Sequence, residues 1–159
     1  MTKPALTGKR KYHQGVFKPK NIGKYIGNPT NIVYRSGWEK SFLSWCDKTP
    51  SVIAYGSEEL IIPYISPLDN RQHRYFVDFF IIVKQPSGKH KKFAIEIKPY
   101  AQTIPPKIPK TRILTESAKA KVETYLVNQA KWEAARAFCK ANNMEFIILT
   151  EKELLKGKK

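Results

Sequence analysis

The sequence predicts an α/β domain, a mixed central β-sheet flanked by helices, on three observations. Two apolar runs rich in β-branched and aromatic residues, 74–83 and 93–95, flank Gln85-Pro86-Ser87-Gly88-Lys89. Helical periodicity appears on both sides of that pair, and a further apolar run, Glu145-Phe146-Ile147-Ile148-Leu149, follows the second helical region. The order helix, strands, loop, helix, strand, helix packs helices around a sheet.

The first helix opens at Tyr34-Arg35-Ser36-Gly37-Trp38-Glu39 and runs through about Asp47, with Phe42, Leu43, Trp45 and Cys46 on its buried side. Ser36 and Glu39 have capping-box spacing, which by itself accounts for Glu39. Short strands follow at 52–55 and 58–65. The second alternates Glu58, Leu60 and Ile62 against Glu59, Ile61 and Pro63, so one of the two glutamates faces the same side as the central hairpin, and parity does not choose between them. Residues 68–71 make a polar turn. After Lys98 the chain breaks into Pro99, Pro105, Pro106 and Pro109, a basic extended loop with Lys107, Lys110 and Arg112. A helical region covers 116–126 and resumes with Asn128 as N-cap through 141, its core stripe being Trp132, Ala135, Phe138 and Cys139. Gln129, Lys131 and Arg136 fall on other, solvated faces. A short terminal helix spans 151–156.

Within this frame two acids are out of place. Asp78 sits in the run Arg74-Tyr75-Phe76-Val77-Asp78-Phe79-Phe80-Ile81-Ile82-Val83, and Glu96-Ile97-Lys98 ends Phe93-Ala94-Ile95. Proline suits the start of a type I turn and Gly88 the left-handed position, so the segment between the runs reads as a three-residue hairpin loop. With Ser87 at its centre, antiparallel partners sum to 174, and Asp78 lies opposite Glu96. Lys98, two positions on, shares their face. Directly opposed like charges, roughly 4.5–5.5 Å apart at Cβ, are destabilising unless compensated. A structural Glu96–Lys98 ion pair with Asp78 bridged to a surplus lysine is one reading. A divalent ion is the other, because Mg²⁺ takes oxygen ligands and uses one or two carboxylates plus substrate phosphate.

Composition indicates the substrate class. Lysine and arginine number 29 against 13 acids, a net charge of +16 in 159 residues, and such a field attracts polyanions. Residues 1–30 hold Lys3, Lys9, Arg10, Lys11, Lys18, Lys20 and Lys24 and no acid, with glycine, proline and aromatics interleaved. They read as a flexible arm that orders on a phosphate backbone, ahead of one domain over 31–159. No run is long enough to span a membrane, and the basic N-terminus lacks the apolar stretch of a signal peptide. Cys46 and Cys139 are isolated in helical patterns, as reduced core thiols are, and His13, His73 and His90 have no zinc-ligand spacing.

A helical glutamate, an aspartate in a strand and Glu-x-Lys in the next strand resemble the PD-(D/E)XK restriction-endonuclease-like superfamily. A narrower likeness rests on Tyr34-Arg35-Ser36-Gly37-Trp38-Glu39, Ser57-Glu58-Glu59-Leu60-Ile61-Ile62-Pro63-Tyr64, His73-Arg74-Tyr75-Phe76-Val77-Asp78-Phe79 and Ile95-Glu96-Ile97-Lys98-Pro99. These segments are similar to the head completion nucleases of T4-like tailed bacteriophages, relatives of the N-terminal endonuclease domain of TnsA transposase subunits. Gln102-Thr103, Pro105-Pro106, Asn128 and Lys131-Trp132 fit the same likeness, and valine stands before Asp78 where the superfamily often has proline.

The resemblance implies metal-dependent hydrolysis of DNA phosphodiesters. It implies Glu39, Asp78 and Glu96 as acidic site residues, the Ile97 carbonyl as a further ligand, and Lys98 as the catalytic lysine. Mg²⁺ is the expected cofactor, replaceable by Mn²⁺. DNA contacts are expected at Lys9, Arg10, Lys11, Arg35, Lys107, Lys110 and Lys131. Double-stranded DNA is the expected partner, with phage portal, neck or terminase proteins, and no membrane or small-molecule cofactor. The expected place of action is the host cytoplasm during infection, with retention in the virion. The alternatives are a non-catalytic basic DNA-binding or neck-assembly protein of the virion and a transposase nuclease subunit.

Overall fold

The computed structural model describes residues 14–108, 110 and 114–155. The expectations for Lys9, Arg10, Lys11, Arg112 and Lys156 lie outside the described residues. The elements are β1 (Gly15–Val16), β2 (Val33–Tyr34), α1 (Gly37–Lys48), β3 (Val52–Ser57), β4 (Ile61–Ile65) and β5 (Gln72–Phe76), then β6 (Phe79–Lys84), β7 (His90–Ile97), α2 (Glu116–Ala141), β8 (Met144–Leu149) and α3 (Glu151–Leu154). The central sheet has the order β3-β6-β7-β8. Its first two pairs are antiparallel and β7–β8 is parallel, so the sheet is mixed as expected. A parallel neighbour needs a long crossover, and α2 supplies it.

The β6–β7 hairpin forms in the expected register, with Phe79 opposite Ile95 and Lys84 opposite His90. Gly88 has φ +86°, and Gln85 and Lys89 close the loop through a 2.8 Å backbone bond, so Pro86-Ser87-Gly88 is the turn. Side-chain alternation on β7 then sorts its residues between two cores. Ile95 and Ile97 join Phe42, Leu43 and Cys46 of α1, whereas Ala94 joins Trp132, Ala135 and Cys139 of α2. Trp132 is 1% exposed and anchors α2, burial that stabilises by roughly 2–3 kcal/mol.

Several expectations are corrected. The run 74–83 is not one strand: it breaks at Val77-Asp78 between β5, which pairs with β4, and β6, which pairs with β3. The chain changes partners there, Val77 N–H donating to Leu60 O and Glu58 N–H to Asp78 O. The helix over 116–141 is continuous, capped by Thr115, and Asn128 is buried within it instead of capping a second segment. Trp45 is 49% exposed, stacked on Phe42 at its outer edge.

Residues 14–30 are packed into the fold rather than extended as an arm. Tyr25 and Ile32 are buried, Ile26 N–H donates to Tyr55 O at 2.8 Å, and β1 pairs with β2. The buried Asp47 carboxylate organises this segment. It accepts from the amides of Lys20 (3.0 Å) and Asn21 (3.2 Å) and from the Tyr55 hydroxyl (2.9 Å). Lys24 Nζ meanwhile donates to the Cys46, Asp47 and Thr49 carbonyls that close α1. A cation on the last carbonyls of a helix also suits its dipole.

Candidate active site

The break before β6 places Asp78 at the end of the central sheet, and a backbone bond fixes it there: Ile97 N–H donates to Asp78 Oδ2 at 2.8 Å. Glu96 is 4% exposed on the α2-facing side of β7. Its Oε2 accepts from the Tyr75 hydroxyl, and its Oε1 lies 3.6 Å from Lys98 Nζ. Lys98 follows β7 directly, held by its own amide donating to Leu149 O at 3.0 Å.

Glu39 arrives from α1. Ser36 accepts from Glu39 N–H at 3.1 Å, while Glu39 Oε2 accepts from the Arg35 amide at 2.7 Å. The carboxylate therefore reaches one residue further back than in a capping box. Burial holds the Glu39 carboxyl above its usual range, against the Arg35 hydrogen bond and charge, and Lys98 is near enough to oppose that rise. Asp78 is pushed further up, by burial first and then by the charge of Glu96, with Glu39 adding to the effect and the Ile97 amide and Lys98 working against it. Helix and hairpin therefore meet: Glu39, Asp78, Glu96 and Lys98 lie within one electrostatic neighbourhood.

Glu58 settles the parity question for the pair 58–59. It forms a 2.6 Å ion pair with Arg35 and its charge raises Glu39, so it lies at the rim of the cluster, with Arg35 committed to it. Glu58 has φ +55°, a local kink at the crossing from β3 to β4. Glu59 lies instead against Gly27 and Gly56, too close for a Cβ at Gly27.

Lys131 departs from its expected solvated face. It is half-buried over the rings of Tyr64 and Tyr75, at 5.8 and 5.6 Å. Burial lowers its pKa, with the charges of Glu96 and Asp78 opposing that shift. Lys107 and Lys110 are exposed. A cleft of about 620 Å³ between the 101–107 loop and α2 carries Lys107 and Lys121 on its walls and shares Asn128 with a smaller one reaching Lys131. Sequence reasoning missed Tyr75, whose hydroxyl meets Glu96; its only sequence signal is an aromatic three positions before Asp78.

The donors suit a hard divalent cation: a buried carboxylate at Glu96 and half-buried ones at Asp78 and Glu39, mutually repelling, with Lys98 as the ion-pair partner of Glu96 at 3.6 Å. Among the described residues, no three His, Cys, Asp or Glu side chains stand close enough to cage an ion unaided. An ion at Asp78 and Glu96 would complete its shell with water and phosphate oxygens, the usual habit of Mg²⁺.

This arrangement on a mixed sheet flanked by helices defines the class as restriction-endonuclease-like, and residues 49–151 match the TnsA-like endonuclease N-terminal family, to which the chain belongs. That match spans Asp78, Glu96 and Lys98 and begins after Glu39. The chain is also 43% identical over 143 residues, 87% of its length and 91% of the relative's, to the head completion nuclease of Enterobacteria phage T4. No solved structure matches it significantly. No helix among the described residues is long and apolar enough to cross a membrane.

Proposed function

We propose that the protein is a divalent-metal-dependent endodeoxyribonuclease that finishes the ends of packaged phage DNA during head completion. The observation that carries this reading is the half-buried Asp78, its carboxyl held up by the charge of the buried Glu96, with Lys98 3.6 Å from the Glu96 carboxylate. The likeness to the phage T4 nuclease supports the biological setting.

In this reading Asp78 and Glu96 hold Mg²⁺, or Mn²⁺ in its place, with Glu39 and the Ile97 carbonyl as further oxygen donors. The bound ion supplies an acidified water and polarises the scissile phosphate. Lys98, an ammonium paired with Glu96, orients the attacking water as a hydrogen-bond donor and offsets charge on the pentacovalent phosphorus as the ester P–O bond breaks, while the water's proton leaves to solvent. Lys131 and the basic cleft walls hold the flanking backbone; phosphate contacts position the duplex without reading its sequence. Arg35 acts through Glu58 at the rim, and Lys9, Arg10, Lys11 and Lys110, with Lys107 on the cleft wall, contact backbone phosphates. The protein works in the infected host's cytoplasm on duplex DNA, beside portal, neck or terminase proteins.

The test is cleavage of supercoiled and linear duplex DNA by the purified chain. Nicking or cutting with Mg²⁺ or Mn²⁺ that EDTA abolishes is expected. Cleavage unaffected by EDTA, or equal in Glu96→Gln, would overturn the assignment.

A further inference from the structure

We propose that Tyr75 is a positioning residue that fixes the Glu96 carboxylate, tying up Oε2 so that Oε1 alone is presented on the Lys98 side. This rests on Glu96 being a metal ligand, as proposed above.

The geometry makes the restraint independent of the strand that carries Glu96. Tyr75 belongs to β5, opposite Ile62 in a separate two-stranded sheet, and is 3% exposed. The position of its hydroxyl is thus set by the β4–β5 hairpin and by α2, which pack against it, while Glu96 is set by β7. Two elements converge on one carboxylate, leaving its side chain little rotamer freedom. The Tyr75 phenol donates its O–H to the carboxylate, as the geometry shows directly. Trp132, also buried, packs in the same core as Tyr75, its indole N–H without a hydrogen-bond partner among the described residues. The hydroxyl faces the carboxylate.

A hydroxyl that only satisfied a buried carboxylate would matter to folding and not to metal affinity. Partners that orient a ligating side chain, in contrast, typically contribute 10–100-fold to metal affinity or activity. Loss of the hydroxyl would let Glu96 turn both oxygens toward Lys98, and the ligand would have to be reordered on binding.

The experiment measures Mn²⁺ binding to the full chain by electron paramagnetic resonance, without DNA, for wild type and Tyr75→Phe. Roughly 10–100-fold weaker binding is expected in the variant, with half-maximal cleavage moved to correspondingly higher metal and kcat recovered in excess metal. Binding losses of Tyr75→Phe and Glu96→Gln should be non-additive in the double variant. Wild type binding no Mn²⁺ would overturn the metal-site reading itself, and the proposal with it. Wild type binding and Tyr75→Phe binding equally well would overturn the positioning role alone. Should Tyr75→Phe fail to fold, Tyr75→Leu and Tyr75→His, without and with a donor, take its place: Tyr75→His retaining more of the affinity supports the role, and equal affinities overturn it.

Discussion

Asp78→Asn should separate stability from activity, with a sign that reverses when metal is added. Asparagine keeps the shape and an oxygen to accept from Ile97 N–H, so only the charge is removed. Repulsion between two unit charges ~4 Å apart is about 4 kcal/mol at an effective dielectric near 20. Lost attraction to Lys98, and a weaker bond to a neutral acceptor (about 1 kcal/mol), offset more than half of that. A net gain of about 1–2 kcal/mol remains for the metal-free variant, or roughly 2–8 °C in Tm at this chain length. Because the Asp78 carboxyl is raised, the folded wild type binds its proton more tightly than the unfolded chain. Its contribution is present at low pH and is lost as pH rises through the folded value, a dependence the variant should lack. At a hundredfold excess of Mg²⁺ over Kd, wild type should gain about 2.7 kcal/mol and the variant little. Calorimetry in EDTA and then in Mg²⁺ reads both. A metal-free variant melting at or below wild type would refute the picture of two carboxylates whose mutual repulsion outweighs their partners.

Asp47→Ala should cost about 3 kcal/mol or more in urea unfolding, because it strips the acceptor from two amides and the buried Tyr55 hydroxyl; a loss below about 1 kcal/mol would contradict its role in seating residues 14–30. Deletion of 1–13, which removes Lys3, Lys9, Arg10 and Lys11, should reduce the salt slope of DNA binding by up to ~0.9 per lost phosphate contact; an unchanged slope would show that these residues do not contact phosphate. Lys107→Ala with Lys110→Ala should lower the slope by up to ~1.8 and leave the per-complex cleavage rate within about threefold, measured by filter binding and single-turnover cleavage.

What was legible in the sequence was local. Pro86 and Gly88 determine a turn, and the turn determines the register, so the pairing of 79–84 with 90–95 followed from five residues. The nearness of Glu96 and Lys98 followed from alternation alone. What was not legible depended on distant partners. The break at Val77-Asp78 is set by Leu60 and Glu58, and nothing in an unbroken apolar run announces it. Residues 14–30 carry the composition of a solvated arm, yet a single buried carboxylate at Asp47 captures their backbone. Asn128 has the chemistry of a cap, but the apolar stripe on either side carries the helix through it. Tyr75 looked like any strand aromatic, and its hydroxyl acquires a role only where two sheets meet over Glu96.

The most direct test of the central claim compares wild type with Lys98→Ala on duplex DNA in Mg²⁺, measuring single-turnover cleavage and binding on the same preparations. The account predicts a loss of at least ~100-fold in the cleavage rate, the scale of charge stabilisation, with DNA affinity within a few-fold of wild type. Cleavage by Lys98→Ala at the wild-type rate would contradict it.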